Sequence, residues 1–214
     1  MGPMRVSGPG TRGALWHPLR GTADLEEPLW WATPQLVHVV TDPDLFSAEV
    51  PLEQVVAVLA VIAACPHHTF QLQTTEPSRL RTLLTSLEVE WLVATVAAEH
   101  PEWGPLGTWP PPDLQVGVVV HDQADADAGV PPLLRTPCGR RFVVADLRGP
   151  VSLLPYLPSG WPAPWAHDRG RVSSPRLDWV VLPASSAPWG LWVDRLGQEC
   201  AAAGVALRDE RDAR

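Results

Sequence analysis

Short continuous apolar runs alternate along this chain with longer segments whose apolar residues recur at helical spacing. A run of four to eight apolar residues bounded by turn residues is typical of a strand buried on both faces. On this basis the sequence predicts five strands, at residues 36–40, 69–73, 114–120, 140–146 and 177–182.

The segments between these strands predict helices. In residues 51–65, Leu52, Val55, Val56, Leu59 and Ile62 recur three and four positions apart, and Pro51 suits the first turn. Residues 77–100 predict one or two helices, and "DQADAD" at 122–127 is an acidic helix start. A last helix is predicted around 190–203, because Gly204 is a favourable C-terminal stop.

Strands that alternate with helices predict an α/β fold with a parallel sheet. Five or six such units favour a partial (βα) barrel over an open sheet, and no G-x-G-x-x-G or Walker loop follows any strand. The working end of such a barrel is the carboxyl edge of its strands. The residues that follow the strands form the candidate barrel-mouth pocket: Thr41, Asp42, Thr74, His121, Asp122, Asp146 and Ser185.

The pocket residues allow more than one chemistry. His121 with Asp122 could bind a metal, or act in acid–base chemistry with Asp42 or Asp146. Alternatively Asp122 is a helix N-cap and His121 a polar loop residue, which is the interpretation that we favour. Ser185 lacks the G-x-S-x-G elbow of a hydrolase nucleophile. We therefore predict no catalytic residue and no metal ligand.

Composition limits the classes of protein to which this chain can belong. The 214 residues are 45% hydrophobic and carry a formal net charge of −8, which fits one globular domain and argues against nucleic-acid or membrane-surface binding. Cys65, Cys138 and Cys200 are far apart, and neither a signal peptide nor a long apolar run is present. We expect a flexible segment at 1–13, a single domain at 14–214 and a cytoplasmic location.

Four segments, in order, carry a resemblance to a known family. "DLFSAEVP…CPHHTFQLQTTEPSRL" resembles D-L-F-H-x-D-V-P…P-x-H-T-F-Q-x-L-T-K-R-P, and "LQVGVVVHDQ" is similar to L-G-V-S-V-E-N-Q. "RRFVVADLRGPVSL" resembles R-F-L-S-x-E-P-L-L-G-P-V-x-L, and "LDWVVLPASS" is similar to D-W-V-I-V-G-G-E-S. These segments resemble phage and bacterial proteins known by a phage gene-product name (thirty-seven/sixty-eight), and the resemblance implies a radical-SAM-like barrel.

The resemblance also implies a [4Fe–4S] cluster, which this chain lacks the residues to hold. The family begins with W-N-P-V-T-G-C and two further cysteines on one loop, whereas here Trp16, Pro18 and Gly21 are followed by Thr22. Three thiolates are needed for such a cluster, and a threonine hydroxyl is a poor ligand for it. We therefore expect no cofactor.

The scaffold is kept while the chemistry is lost, so we expect a catalytically degenerate, non-catalytic binding or assembly protein. Its partner surface would be rich in tryptophan, of which the chain has eleven. The alternative is an enzyme with a repurposed barrel-mouth site, possibly metal-assisted, that acts on a small molecule. Convergence of His121, Asp42 and Asp146 on a polar pocket would favour the enzyme, and a mouth filled by tryptophan or proline would favour the binding protein.

The first crossover is short in sequence. Little chain separates Gly21 from Leu36, and a helical crossover between parallel strands needs a dozen or more residues. We therefore expect a shortened first βα unit and an irregular or displaced first strand.

Overall fold

The computed structural model describes residues 13–157, 176–183 and 190–210. The strands are β1 (Ala14–Trp16), β2 (Leu36–Val39), β3 (Thr69–Thr74), β4 (Gln115–Val120), β5 (Arg140–Ala145), β6 (Trp179–Leu182) and β7 (Ala206–Asp209). The helices are α1 (Thr22–Leu25), α2 (Leu52–Ala64), α3 (Pro77–Leu84), α4 (Leu87–Glu99), α5 (Gln123–Leu134) and α6 (Gly190–Ala202). The predicted flexible segment, apart from Gly13, lies outside the described residues.

The seven strands form one parallel sheet whose order, β1 to β7, is the order of the chain. The α/β prediction and the five predicted strands are confirmed, and residues 77–100 form two helices, α3 and α4. Strand β7 is an addition to the predicted set.

The first βα unit is short, as expected. Only α1 and a 3-10 helix at Glu27–Trp30 separate β1 from β2. The prediction of an irregular or displaced first strand is wrong, because β1 pairs with β2 in regular parallel register, with Leu15 opposite His38. A short 3-10 turn joined to one α-helical turn is enough to span the crossover.

The two faces of the sheet are covered by different parts of the chain. Alternate strand residues, such as Val118, Val143 and Val180, join the large core that the helices cover. On the opposite face a separate cluster contains strand residues alone, with Phe142 stacked on Trp179 at a ring-centroid distance of 5.0 Å. The helices therefore lie on one face, and side chains of the sheet itself fill part of the other.

Residues distant in the chain also hold the helices and loops in place. Glu199 of α6 is buried and accepts hydrogen bonds from the Ser152 hydroxyl (2.9 Å) and the Leu153 amide (2.8 Å). His68 is buried too: its Nδ1 accepts from the Gln35 amide (3.1 Å), and its Nε2 lies 3.0 Å from the Pro28 carbonyl. His68 thereby ties the first crossover to the start of β3. No helix in the described ranges has the length and hydrophobicity needed to cross a membrane.

Candidate functional site

A cavity of about 180 Å³ opens on the face of the sheet opposite the helices, over β1 to β4. Apolar residues line its two edges, with Leu15 on β1 and Val119 on β4. Polar residues lie between them and include His38 of β2 with Gln71 and Gln73 of β3. The cavity is therefore amphipathic and large enough for a small molecule.

The polar side chains reach this cavity because of strand alternation. Val37, Phe70 and Leu72 point to the helices and belong to the main core, so their neighbours His38 and Gln71 point to the opposite face. Strand register then places His38 opposite Gln71, and Gln71 opposite Gln115. We call these three residues the polar row.

Two residues of the polar row, His38 and Gln71, are buried but incompletely hydrogen-bonded. His38 is 7% exposed and Gln71 is 1% exposed. The Gln71 amide nitrogen donates to Oε1 of Gln115 at 3.3 Å. Gln71 Oε1 and both ring nitrogens of His38 have no hydrogen-bond partner among the described residues. Burial lowers the pKa of His38, a shift that the neighbouring Gln71 amide partly opposes, so the ring is favoured in its neutral form.

Asp44 fixes the loop at the rim of the cavity. Its carboxylate accepts hydrogen bonds from the Thr74 hydroxyl (2.9 Å), the Thr75 amide (2.6 Å), the Thr75 hydroxyl (3.0 Å) and the Phe46 amide (2.9 Å). These bonds join the loop after β2 to the end of β3. Asp44 therefore holds part of the cavity wall in place.

Two of the sequence-predicted site residues, Thr41 and Thr74, line this cavity. The Thr41 hydroxyl oxygen accepts a hydrogen bond from the Leu45 amide at 3.0 Å, and the Thr74 hydroxyl donates to Asp44. Both hydroxyls thus shape the loop that borders the cavity.

Three more of these residues lie at the ends of β4 and β5, outside the cavity wall. His121 Nδ1 lies 2.9 Å from Oδ2 of Asp125, and His121 Nε2 lies 3.8 Å from Oδ2 of Asp146. Asp122 is the N-cap of α5 and accepts from the Asp125 amide at 3.0 Å, as the favoured interpretation predicts. The backbone amide of His121, followed by its side chain, lowers the pKa of Asp125.

The remaining two predicted residues do not join either group. Asp42 is exposed and does not line the cavity. Ser185 lies outside the described residues. The convergence of His121, Asp42 and Asp146 on one pocket, which would favour the enzyme alternative, is therefore not found. His121 and Asp146 lie 3.8 Å apart, but neither they nor Asp42 line the cavity.

The other alternative, a mouth filled by tryptophan or proline, is not found at this cavity either. No tryptophan or proline of the described residues lines it. Farther along the same face, at β5 and β6, the stacked rings of Phe142 and Trp179 fill the space, and the Arg208 guanidinium lies 4.5 Å from the centre of the Trp179 ring.

The cysteines do not fit an iron–sulfur cluster. Cys65 caps α2, Cys138 precedes β5 and Cys200 lies within α6, and all three are buried. Burial raises the pKa of Cys65 to about 12, and burial is also the main cause that raises the pKa of Cys138 and of Cys200 to about 11. Thiols in this state are poor metal ligands, because binding requires the thiolate.

We expect the protein expressed anaerobically with iron and sulfide to be colourless. Cluster assembly needs three thiolates on one site, and these three thiols are held apart on different elements. The measurement is the visible absorption spectrum together with the iron content of the purified protein. A broad [4Fe–4S] absorbance that disappears on replacement of Cys65, Cys138 or Cys200 would contradict this expectation.

The tryptophans of the described residues differ widely in exposure. Trp16, Trp103 and Trp179 are buried, whereas Trp30 and Trp91 are each 64% exposed and belong to different elements. Trp31, Trp109 and Trp192 are half-buried against the core. Trp161, Trp165 and Trp189 lie outside the described residues.

The cavity residues that the sequence analysis missed are His38, Asp44, Gln71 and Gln73. A signal for three of them was present: polar residues alternate with apolar ones in "LVHV" and "TFQLQT". The candidate pocket was predicted from residues that follow the strands, and these three residues lie within strands. The role of Asp44 could not be predicted from the sequence, because its partner Thr74 lies 30 residues farther along the chain.

A model of a protein family described as "protein of unknown function (DUF5131)" matches residues 14–208. No curated protein and no solved structure matches the chain significantly.

Proposed function

The chain belongs to DUF5131, a family of proteins of unknown function, and we propose that it is a non-catalytic assembly protein that acts through protein contacts. Two arguments support this proposal: the state of the barrel-mouth residues, and an exposed apolar face on α4. The second argument carries it.

The proposal treats the fold as a degenerate radical-SAM-like partial barrel. A parallel sheet whose strands follow chain order, with helices on one face, has the strand order of a (βα) barrel. The similarity to the phage gene-product family supports the same interpretation. The separation of the three buried cysteines supports the loss of the original chemistry.

The barrel-mouth residues give the enzyme alternative little support. His121 is engaged by Asp125, Asp122 caps α5, and the cavity wall includes neither residue. General acid–base catalysis needs its groups within hydrogen-bond reach of a bound substrate. The cavity over β1 to β4 does not provide that contact, because His121 is not part of its wall.

Helix α4 is apolar on its outer face as well as on its inner face. Val89, Val93 and Ala97 point into the core, whereas Leu87 is 82% exposed and Trp91 is 64% exposed. Large apolar residues that lie together on an exposed surface mark interaction sites. This face is the observation on which the proposal depends.

The outer face of α4 fits a second copy of the chain. Leu87, Trp91, Ala94 and Ala98 lie four, three and four residues apart, so they form one stripe of exposed residues. The large residues are at the amino-terminal end of the stripe and the small ones at the carboxyl-terminal end. Antiparallel packing of two such helices therefore sets Leu87 against Ala98 of the second copy and Trp91 against Ala94 of the second copy.

Charge gives this association a recognisable salt dependence. Glu88 and Glu90 flank the large residues, Glu99 follows the small ones, and the chain carries a net charge of −8. Two copies therefore repel each other, and salt screens that repulsion while leaving apolar contact intact. We expect the association to strengthen as ionic strength rises.

The test is sedimentation velocity over a range of protein and salt concentrations. We expect the wild-type protein to dimerise, and Trp91→Ala to weaken the dimer by at least about 30-fold, which is the effect of losing a hot-spot tryptophan. Leu191→Ala is the matched control, since Leu191 is 86% exposed on α6 and far from the stripe in sequence. A wild-type protein that stays monomeric, or an equal effect of Leu191→Ala, would overturn the proposal.

A further inference from the structure

The unpartnered buried atoms of the polar row destabilise the folded protein. A buried polar atom without a hydrogen-bond partner loses its bond to water and gains none in return. Three such atoms belong to neighbouring residues of β2 and β3: Nδ1 and Nε2 of His38, and Oε1 of Gln71. All three belong to side chains that are more than nine-tenths buried and that line the cavity. A ligand in the cavity would satisfy them.

The His38 ring is held in place for such a contact. Gly13 packs directly against it: a Cβ atom at Gly13 would lie 2.5 Å from Cδ2 and Nε2 of His38 and 2.7 Å from the Leu36 carbonyl oxygen. Only a glycine fits so close to the ring without moving it. The donor and acceptor positions of His38 are therefore fixed before a ligand enters.

The charges around the cavity favour an uncharged ligand. No arginine lines the wall, so an anion such as phosphate finds no cationic partner among the described residues. The one carboxylate on the wall, Asp44, already accepts hydrogen bonds from Thr74, Thr75 and Phe46. What the wall offers is a neutral imidazole and the side-chain amides of Gln71 and Gln73.

These groups determine which hydrogen-bond donors and acceptors a ligand must carry. A neutral imidazole has one N–H donor and one acceptor nitrogen, and a glutamine amide offers an acceptor oxygen beside donor hydrogens. Such groups pair with a molecular edge that carries a donor and an acceptor side by side, as glutamine does with a nucleobase. Leu15 and Val119 provide an apolar surface for the body of the molecule.

We propose that this cavity binds a small, uncharged, planar molecule that presents a lactam edge, with an N–H donor next to a carbonyl acceptor, to His38 and Gln71. This site is independent of the α4 stripe that supports the proposed function. Its failure in an experiment would leave the dimer unaffected, and failure of the dimer would leave this site unaffected.

The direct test uses 2-pyridone, the smallest planar lactam with this edge, and N-methyl-2-pyridone, which lacks the donor. Binding is followed by NMR chemical-shift titration of the whole chain, with the His38 ring as the reporter. We expect saturable millimolar binding of 2-pyridone and binding at least tenfold weaker for the methylated compound. Equal affinities, or no saturable binding of either, would overturn the proposal.

Substitutions in the polar row locate the binding site. Gln71→Leu and His38→Phe should each weaken 2-pyridone binding at least tenfold, since each removes hydrogen-bonding atoms from the wall. Gln54→Leu and His100→Phe are the matched controls, because both residues lie outside the cavity, and their affinities should equal that of the wild-type protein. A similar loss in the control variants would contradict the assigned location.

A stability measurement separates loss of binding from loss of folding. Gln71→Leu removes an unpartnered buried oxygen, so we expect its melting temperature to equal or exceed that of the wild-type protein. The structure of a crystal soaked in 2-pyridone provides a further test. Ordered water alone on His38 and Gln71 after soaking would show that water satisfies these atoms, and would overturn the proposal.

Discussion

Replacement of Gly117 by alanine is expected to lower the free energy of unfolding by about 3 kcal/mol, at the upper end of the range for overpacked cores. Gly117 lies in β4 beside the ring of Phe142 in β5, and a Cβ atom at Gly117 would lie 2.2 Å from Cε2 of that ring. Phe142 is fully buried and stacked on Trp179, so its ring has no free space into which it can move. Urea denaturation measures the loss.

Two further variants make this prediction specific. In Phe142→Val the ring is gone, so adding Gly117→Ala to that variant should cost much less than it costs in the wild-type chain. Gly197→Ala is the matched control in α6, where the added Cβ would lie at an ordinary 3.5 Å from Leu207 and where alanine favours the helix by about 0.5–1 kcal/mol. Equal losses in the wild-type and Phe142→Val backgrounds would contradict the proposed clash.

Asp44→Ala is expected to destabilise the protein by about 2–4 kcal/mol, because it removes one acceptor from several donors at once. The Thr74 hydroxyl and the Phe46 amide belong to buried residues, and the alanine variant leaves them without this partner. Asp44→Asn keeps one acceptor oxygen and should lose less. Differential scanning calorimetry or urea denaturation gives the two values.

The control for this prediction is Asp113→Ala, which removes an exposed carboxylate and should change stability by less than about 0.5 kcal/mol. Hydrogen exchange adds a local readout, since the Thr75 amide donates to Asp44 and should lose protection in Asp44→Ala. If Asp44→Ala were as stable as Asp113→Ala, the carboxylate would not be holding the loop after β2 to the end of β3.

The sequence alone determined the class of fold and most of its elements. Helix α2 could be predicted because its apolar residues follow the helical period over thirteen positions, and β4 because its apolar run is continuous. The role of Asp122 as an N-cap was also predictable, since it depends on atoms only three residues away. Features of this kind can be predicted from the sequence because they depend on residues that are close together in the chain.

The tertiary structure decided the rest, because strand pairing joins residues that are distant in the chain. Strand β1 has only three residues, too few for a periodic pattern, and it exists as a strand through its register with β2. Alternation in "LVHV" and "TFQLQT" indicates that His38 and Gln71 share a face with other polar residues. Only the register of β2 with β3 and of β3 with β4 places His38, Gln71 and Gln115 side by side, and only the folded loop brings Asp44 to Thr74.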